Sequence, residues 1–415
     1  MKQTTWKRNV TLFLAGQAIT LFGSMLVQYA IMWHITLATR SGAAMTLYVI
    51  VGILPTFIIS PFGGAWADRH DRKKLINLAD GGIALVTLAV AAFYMLGRES
   101  TWILFACAAA RALGQGIQVP AVSAFIPDIT PPGHLVKVNG INTSIQSFIQ
   151  LVSPAASGAL LTFMPFQTVF LVDVITAAAG ITILYFFVKT PARQTAVAPP
   201  PSAKNYFHDL REGFRYIRTR KFIKRLLLIT TVLHVMISPA AFLTPLQVAR
   251  DFGTGVWRLT AIEIAFSAGM MLGGIAIGLR GDFRDKLRVM AWACVLNGTG
   301  IILLGVLDNF WWYLAAMFFL GTCIPLYFTP GTTIFQTSVA PEYTGRFFGI
   351  FVMIATLVTP AGMLIFGPLG DAVNIDFLLL GSGAIIALLA LPLWRSKIPR
   401  ETGKSDSAAS RTDAP

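Results

Sequence analysis

Arg111, Asp173 and Glu263 are the side chains best placed to do chemistry in this sequence, because each interrupts a long apolar run. Arg111 lies about ten residues into its run, in Arg111-Ala-Leu-Gly114-Gln115-Gly116, and an arginine at the centre of a membrane helix costs roughly 2.5–3.5 kcal/mol on insertion scales. It therefore needs a counter-charge or water. Asp173, in Phe170-Leu-Val-Asp173-Val-Ile, lies at a similar depth and is the partner the sequence offers. Two charges paired in a low dielectric keep each other ionised, and loss of either strands the other. A structural ion pair and a pair that sets protonation in a working cycle both fit; for Asp173 a positioning role is expected over contact with a ligand. Glu263, in Thr260-Ala-Ile-Glu263-Ile-Ala-Phe266, has no basic residue at its depth. Burial without a counter-charge favours the protonated carboxyl. Glu263 can then carry a proton while occluded and release it when exposed, or can simply bond a neighbouring carbonyl. Proton coupling is assigned to Glu263, Arg111 and Asp173, with Glu263 as the carrier.

The elements that must hold these residues follow from composition. The chain has 415 residues, 55% of them hydrophobic and only 13% charged, where soluble domains carry roughly 25% charged residues. Apolar runs near the ~20 residues needed to cross a bilayer recur along its length. Twelve are read, at 9–35, 42–64, 75–97, 101–127, 138–163, 166–188, 222–249, 257–280, 287–307, 310–337, 344–370 and 374–394. The fold expected is all-α and integral to a membrane. The first run is too long for a cleaved signal peptide.

A net charge of +14 would suggest nucleic acid in a soluble protein. Its distribution argues otherwise. With both termini inside, only Arg40, Arg98, Arg250 and Arg258 fall outside and Arg111 within a span; the other 28 of the 33 Lys and Arg residues are cytoplasmic. That is the positive-inside rule. The basicity reports topology, the expected location is a bacterial plasma membrane, and no nucleic-acid partner is expected.

The stretch Gly63-Gly64-Ala-Trp-Ala-Asp68-Arg69-His-Asp71-Arg72-Lys73-Lys74 is a tight basic turn between the second and third spans. It resembles the loop 2–3 signature of the major facilitator superfamily, with Asp71 where the family usually has glycine. The resemblance implies that Gly64, Asp68, Arg69, Arg72 and Lys73 belong to a gate that latches two halves on the cytoplasmic side. Asp80 is expected to join Arg72 and Lys73 in that cluster, and Asp128 is a further candidate. The Arg111-Ala-Leu-Gly114-Gln115-Gly116 string resembles the span 4 motif of proton-coupled antiporters, and Ser153-Pro154 with Ser157-Gly158 weakly resembles their span 5 motif.

An internal repeat supports two halves independently. Pro120, Phe125, Pro131 and Gly140 recur as Pro330, Phe335, Pro341 and Gly349, and a basic residue, Lys137 or Arg346, precedes the last glycine by three. Gly273-Gly274 through Lys286 is a degenerate second copy of the basic turn. The position matching Arg111 is Gly321, so the charge is not needed to build the bundle. The expected domains are a six-helix bundle at 1–188, a linker at 189–221, a second bundle at 222–395 and a disordered tail at 396–415. Within the linker, Tyr206, Phe207, Leu210, Phe214 and Ile217 follow helical spacing opposite Arg211, Arg215 and Arg218, as a helix lying on the membrane surface would.

Parallel repeats place substrate between the halves near the midplane. Gln17, Ser24 and Gln28 in span 1, and Gln146 and Gln150 in span 5, form polar faces that line a cavity or bond helices together. Spans 7 and 10 are broken by Pro239, Pro245, Pro325 and Pro330, and the flanking Phe242, Tyr327, Phe328 and Phe335 suit a roomy apolar pocket or simple packing.

Trp6-Lys7-Arg8, Ala15-Gly16-Gln17-Ala18, Glu263 with Phe266 and Gly269-Met270, and Pro341-Glu-Tyr-Thr-Gly345-Arg346 extend the likeness. Together they are similar to the drug:proton antiporter branch that holds macrolide-efflux and enterobactin-exporter proteins. This implies export of a bulky amphipathic compound, macrolide-like, in exchange for protons by alternating access. The alternative is a siderophore or other metabolite exporter; more distant are a lipid transporter and a non-transporting sensor. Cys107, Cys294 and Cys323 show no metal spacing, no P-loop is present, and the five histidines form no H-E-x-x-H motif. No enzyme, cofactor or metal is expected, and the chain is expected to act as a monomer whose partners are substrate, protons and lipid.

Overall fold

Each long apolar run becomes one helix in a computed structural model that describes residues 3–189, 203–281, 283–340 and 343–396. The first half holds α1 (Gln3–Thr39), α2 (Gly42–Arg69), α3 (Arg72–Met95), α4 (Thr101–Ile129), α5 (Leu135–Phe163) and α6 (Phe166–Thr182). A connecting helix, α7 (Ala203–Thr219), leads into α8 (Lys221–Asp251), α9 (Val256–Arg280), α10 (Lys286–Leu304), α11 (Phe310–Ser338), α12 (Thr344–Ala372), α13 (Ile375–Leu388) and the short α14 (Ala390–Trp394). No strand occurs among the described residues. Among the described residues, eleven helices are long and apolar enough to cross a membrane. The remaining expected span, α5, has the length but carries Lys137, Asn139, Asn142, Gln146 and Gln150, which lower its hydropathy.

Polar residues set several helix starts. Ser41, Asn309 and Asn374 each accept a first-turn amide. Asp71, the departure from the family's glycine, caps α3 by accepting from the amides of Lys73 and Lys74. A cap of this kind stabilises a helix by typically ~1 kcal/mol, so the acid fixes the start of α3 at Arg72, just after α2 ends at Arg69.

Packing order repeats between the halves. In the first, α2 packs on α4, α4 on α3, α3 on α6, α6 on α1 and α1 on α5; in the second, α9, α11, α10, α13, α8 and α12 follow the same sequence of neighbours. The halves meet through α2 with α12 and α5 with α9. Gly42 and Gly367 close the first of these contacts, where a Cβ on Gly42 would fall 2.3 Å from the Gly367 carbonyl oxygen. Every hydrogen bond that links the halves among the described residues lies on the face opposite the 63–74 turn, from Thr46 to the Met363 carbonyl outward to Asp371. The halves are therefore joined on that opposite face and apart on the motif face.

The expected surface helix forms, but it docks on protein. Glu212 of α7 pairs with Arg346 of α12 at 2.7 Å, Tyr216 stacks on Tyr343 at 4.4 Å, and Ile217 is buried. The Pro/Ala-rich segment 190–202, Asp282, Pro341, the tail after Ser396 and the side chains of Tyr206, Phe207 and Leu210 lie outside the described residues.

Candidate functional site

Arg111 of α4 is buried where four helices of the first half meet. Its guanidinium bonds Asp173 of α6 and the hydroxyl of Thr87 of α3, and reaches the Ser24 carbonyl of α1 at 3.3 Å. Asp173 is fully buried and accepts a further bond from the Ser24 hydroxyl at 3.2 Å. The pair expected from depth alone is thus formed, and it is hydrogen-bonded on both sides, as a buried ion pair must be to repay its desolvation. Asp173 lies behind Arg111, away from the cavity. Ser24, on the polar face read in span 1, bonds helices together here; Thr87 was missed, because a lone hydroxyl in an apolar run has no periodic signal.

In front of Arg111 lies a cavity of about 250 Å³, bounded by Gln28 and Tyr29 of α1, Tyr48 of α2, Gln115 of α4 and Phe242 of α8. A second, of about 120 Å³, is walled by Glu263 and Phe266 of α9, Ala241 and Thr244 of α8, and Met317 of α11. Glu263 has no hydrogen bond or ion pair among the described residues. The Thr244 hydroxyl is already given to the Ala240 carbonyl at 2.8 Å. The site is therefore asymmetric: a neutralised cation in one half and a solitary acid in the other.

Of the proposed pocket residues, Gln28 and Phe242 line the larger cavity. Gln17 is instead bonded by Gln118 of α4 at 2.9 Å, and Gln146 and Gln150 sit exposed on α5 and line neither cavity. Tyr327 and Phe335 need correction. Tyr327 is buried with its hydroxyl 2.9 Å from that of Thr230, and Phe335 is buried against Phe347 and Phe351, so both belong to the core of the second half. Phe328 packs edge-on against His234.

The basic turn braces one half. Arg72 bonds Asp128 at 2.8 Å, the Ala124 carbonyl at 2.7 Å and the Ala67 carbonyl at 2.9 Å, while Asp68 has a side chain 56% exposed and pairs, among the described residues, with Arg72 alone, at 3.4 Å. Lys73 donates to the Tyr185 and Val188 carbonyls in the segment that follows α6. Arg69 is exposed and unpaired among the described residues. Asp80 does not join this cluster: it is buried on α3 and makes no hydrogen bond or ion pair among the described residues. Two turns of helix separate it from Arg72, beyond reach of the guanidinium. Nothing near Gly64 would resist a side chain, whereas Gly63 meets the Gly116 carbonyl of α4.

The opposite face carries an ionic contact that sequence reasoning passed over. Asp371 of α12 accepts from the Ser41 hydroxyl (2.7 Å), the Gly42 amide (2.7 Å), the Ala43 amide (3.0 Å) and Arg250 (2.8 Å). Arg250 also donates to the Arg40 carbonyl at 2.7 Å. The only hint was that Arg40 and Arg250 were two of the four cations placed outside.

The family described as transmembrane secretion effector matches residues 7–415. Macrolide efflux protein A of Streptococcus pyogenes is 29% identical over 397 residues, 94% of this chain and 96% of that protein. Its namesake from Enterococcus faecalis is 30% identical over 330 residues, 78% of this chain and all of that one. In fold, the chain is similar to the inward-facing crystal structure of a bacterial homologue of the iron transporter ferroportin, with a TM-score of 0.69, 13% identity, and 94% of this chain and 99% of that chain covered.

Proposed function

This chain belongs to the transmembrane secretion effector family of the major facilitator transporters, and from that membership we propose that it exports bulky amphipathic compounds of the macrolide type in exchange for protons. The observation that carries the exchange is Glu263, an acid without a basic partner in the wall of an apolar cavity. Such a carboxyl has two ways to be neutral, a proton or a cationic ligand, and cannot hold both. The cation of the first half is already spent on Asp173, which leaves the cavity attractive to a positively charged amphipath whose apolar body rests on Phe242, Tyr29 and Met25. The names of the macrolide-efflux relatives support this substrate class.

The positive-inside distribution makes the motif face cytoplasmic, so the conformation is open inward. A compound taken up from that side displaces the proton of Glu263; after the halves rock, a proton taken from outside displaces the compound. One monovalent cation leaving for one proton entering moves no net charge, so the pH difference, and not the electrical part of the gradient, drives this exchange. Arg111 and Asp173 hold α1, α3, α4 and α6 as one unit that rocks about the midplane as a monomer. Arg69, exposed and unpaired among the described residues, and the exposed Asp68, held only by its long contact with Arg72, are the side chains left to latch the motif face when it closes.

Inverted vesicles bearing the protein test this directly. Erythromycin added under an imposed proton gradient should release protons from the wild type and not from Glu263→Gln. A full response in Glu263→Gln would remove that glutamate as carrier. No response to erythromycin or cationic dyes, with a response to a siderophore, would replace the substrate class.

A further inference from the structure

The two halves treat one equivalent surface differently. In the first, α5 turns Lys137, Ile141, Ser144 and Phe148 toward Ile19 and Phe22 of α1, walling an apolar groove of about 780 Å³. Lys137 stands at its motif-face mouth, exposed and unpaired among the described residues. In the second half, the residues matching Lys137 and Ile141 are Arg346 and Ile350. There α7 lies over them. Glu212 is on Arg346 at 2.7 Å, and Gly213 is so close to Ile350 that a Cβ would fall 2.7 Å from it. Ile350 is 0% exposed against 43% for Ile141. Two stacked ring pairs fix the correspondence: Trp6 on His134 at 4.7 Å, and Tyr216 on Tyr343 at 4.4 Å, are related by the same repeat.

The covering helix indicates what this surface accepts, namely an apolar body with an anion at the height of the cation. We propose that the α1–α5 groove binds an anionic phospholipid of the leaflet on the motif face, its phosphate on Lys137 and an acyl chain along Ile141, Ser144 and Phe148. A bilayer supplies that layout at high local concentration. The transported compound is the competing occupant, since Phe22 leads along α1 to Met25 and Tyr29 of the cavity; a cation at the mouth disfavours a positively charged amphipath. The leaflet rests on the orientation adopted above, while lipid binding does not.

Native mass spectrometry of the full chain in detergent, titrated with phosphatidylglycerol and with phosphatidylcholine of the same acyl chains, tests the site without any transport readout. Phosphatidylglycerol should bind at about fivefold lower concentration, equivalent to about 1 kcal/mol for one basic side chain at an anionic surface. Lys137→Gln should erase that preference, and Ser144→Phe, which fills the groove and keeps the cation, should weaken both lipids. An undiminished preference in Lys137→Gln, or unchanged binding in Ser144→Phe, would overturn the assignment. Displacement of the bound lipid by erythromycin at transport concentrations would give the groove to the substrate instead.

Discussion

Asp371, in the last turn of α12, accepts the backbone amide of Gly42, in the first turn of α2, at 2.7 Å. A carboxylate of one half thus occupies a helix N-terminus of the other, where unpaired amides and the helix dipole favour negative charge. Arg250 adds a second anchor on the same carboxylate at 2.8 Å.

Removing this cap should loosen the sealed face without unfolding either half. Asp371→Ala forfeits ~1 kcal/mol for the cap alone, and the loss of the Arg250 pair takes the shift toward about tenfold, ~1.4 kcal/mol. A cysteine placed at Thr46, buried in the α2–α12 contact, reports it in a chain whose buried Cys107, Cys294 and Cys323 are replaced. A membrane-impermeant maleimide should label it several times faster in the Asp371→Ala background. An equal rate would mean that Asp371 does not hold the face shut.

The Arg111–Asp173 pair should behave as a unit. Breaking a buried pair from one side costs about 3–5 kcal/mol because the survivor is left charged and unpartnered. Arg111→Leu and Asp173→Leu should therefore each lower the thermal unfolding midpoint in detergent, and the double substitution should recover much of it. The second half closes at the matching place without an ion pair: where the first has Thr87 and Asp173 it has Asn297 and Gly383, and Gly383 lets α13 come against Gly298 of α10. Additive losses in the double variant would argue against direct coupling.

Phe242 and Phe335 should separate binding from stability. Phe242 borders the cavity at Arg111, so Phe242→Ala should raise the half-saturating erythromycin concentration about tenfold, in line with the ~1.5–3 kcal/mol for burying such a side chain, and leave unfolding little changed. Phe335 is core, and Phe335→Ala should cost about 3–5 kcal/mol of stability with affinity preserved in the fraction that folds. The two outcomes exchanged would reverse their placement.

The spans were legible because apolar runs bounded by Ser41, Asn309 and Asn374 carry both length and caps in the sequence. The Arg111–Asp173 pair was legible because two opposite charges at one depth have few other partners. Tyr327 and Phe335 were misread because an aromatic beside a proline reads the same whether α11 turns it to a cavity or a core; the rotation is set by α9 and α10, which pack on it from either side. Asp80 was misplaced because sequence distance to Arg72 says nothing of the helix between them. Asp371 was invisible for another reason: a charge at a helix end is ordinarily solvated, and its partner Gly42 lies 329 residues away.

The contact of Gly42 with Gly367 is main chain against main chain. A closure made of side chains leaks whenever one of them changes rotamer, since a thread of water needs only a moment's gap. Backbone in helices has no such freedom. A barrier built this way insulates: it keeps ions and solvent of the two compartments from short-circuiting through the protein while the opposite mouth stands open.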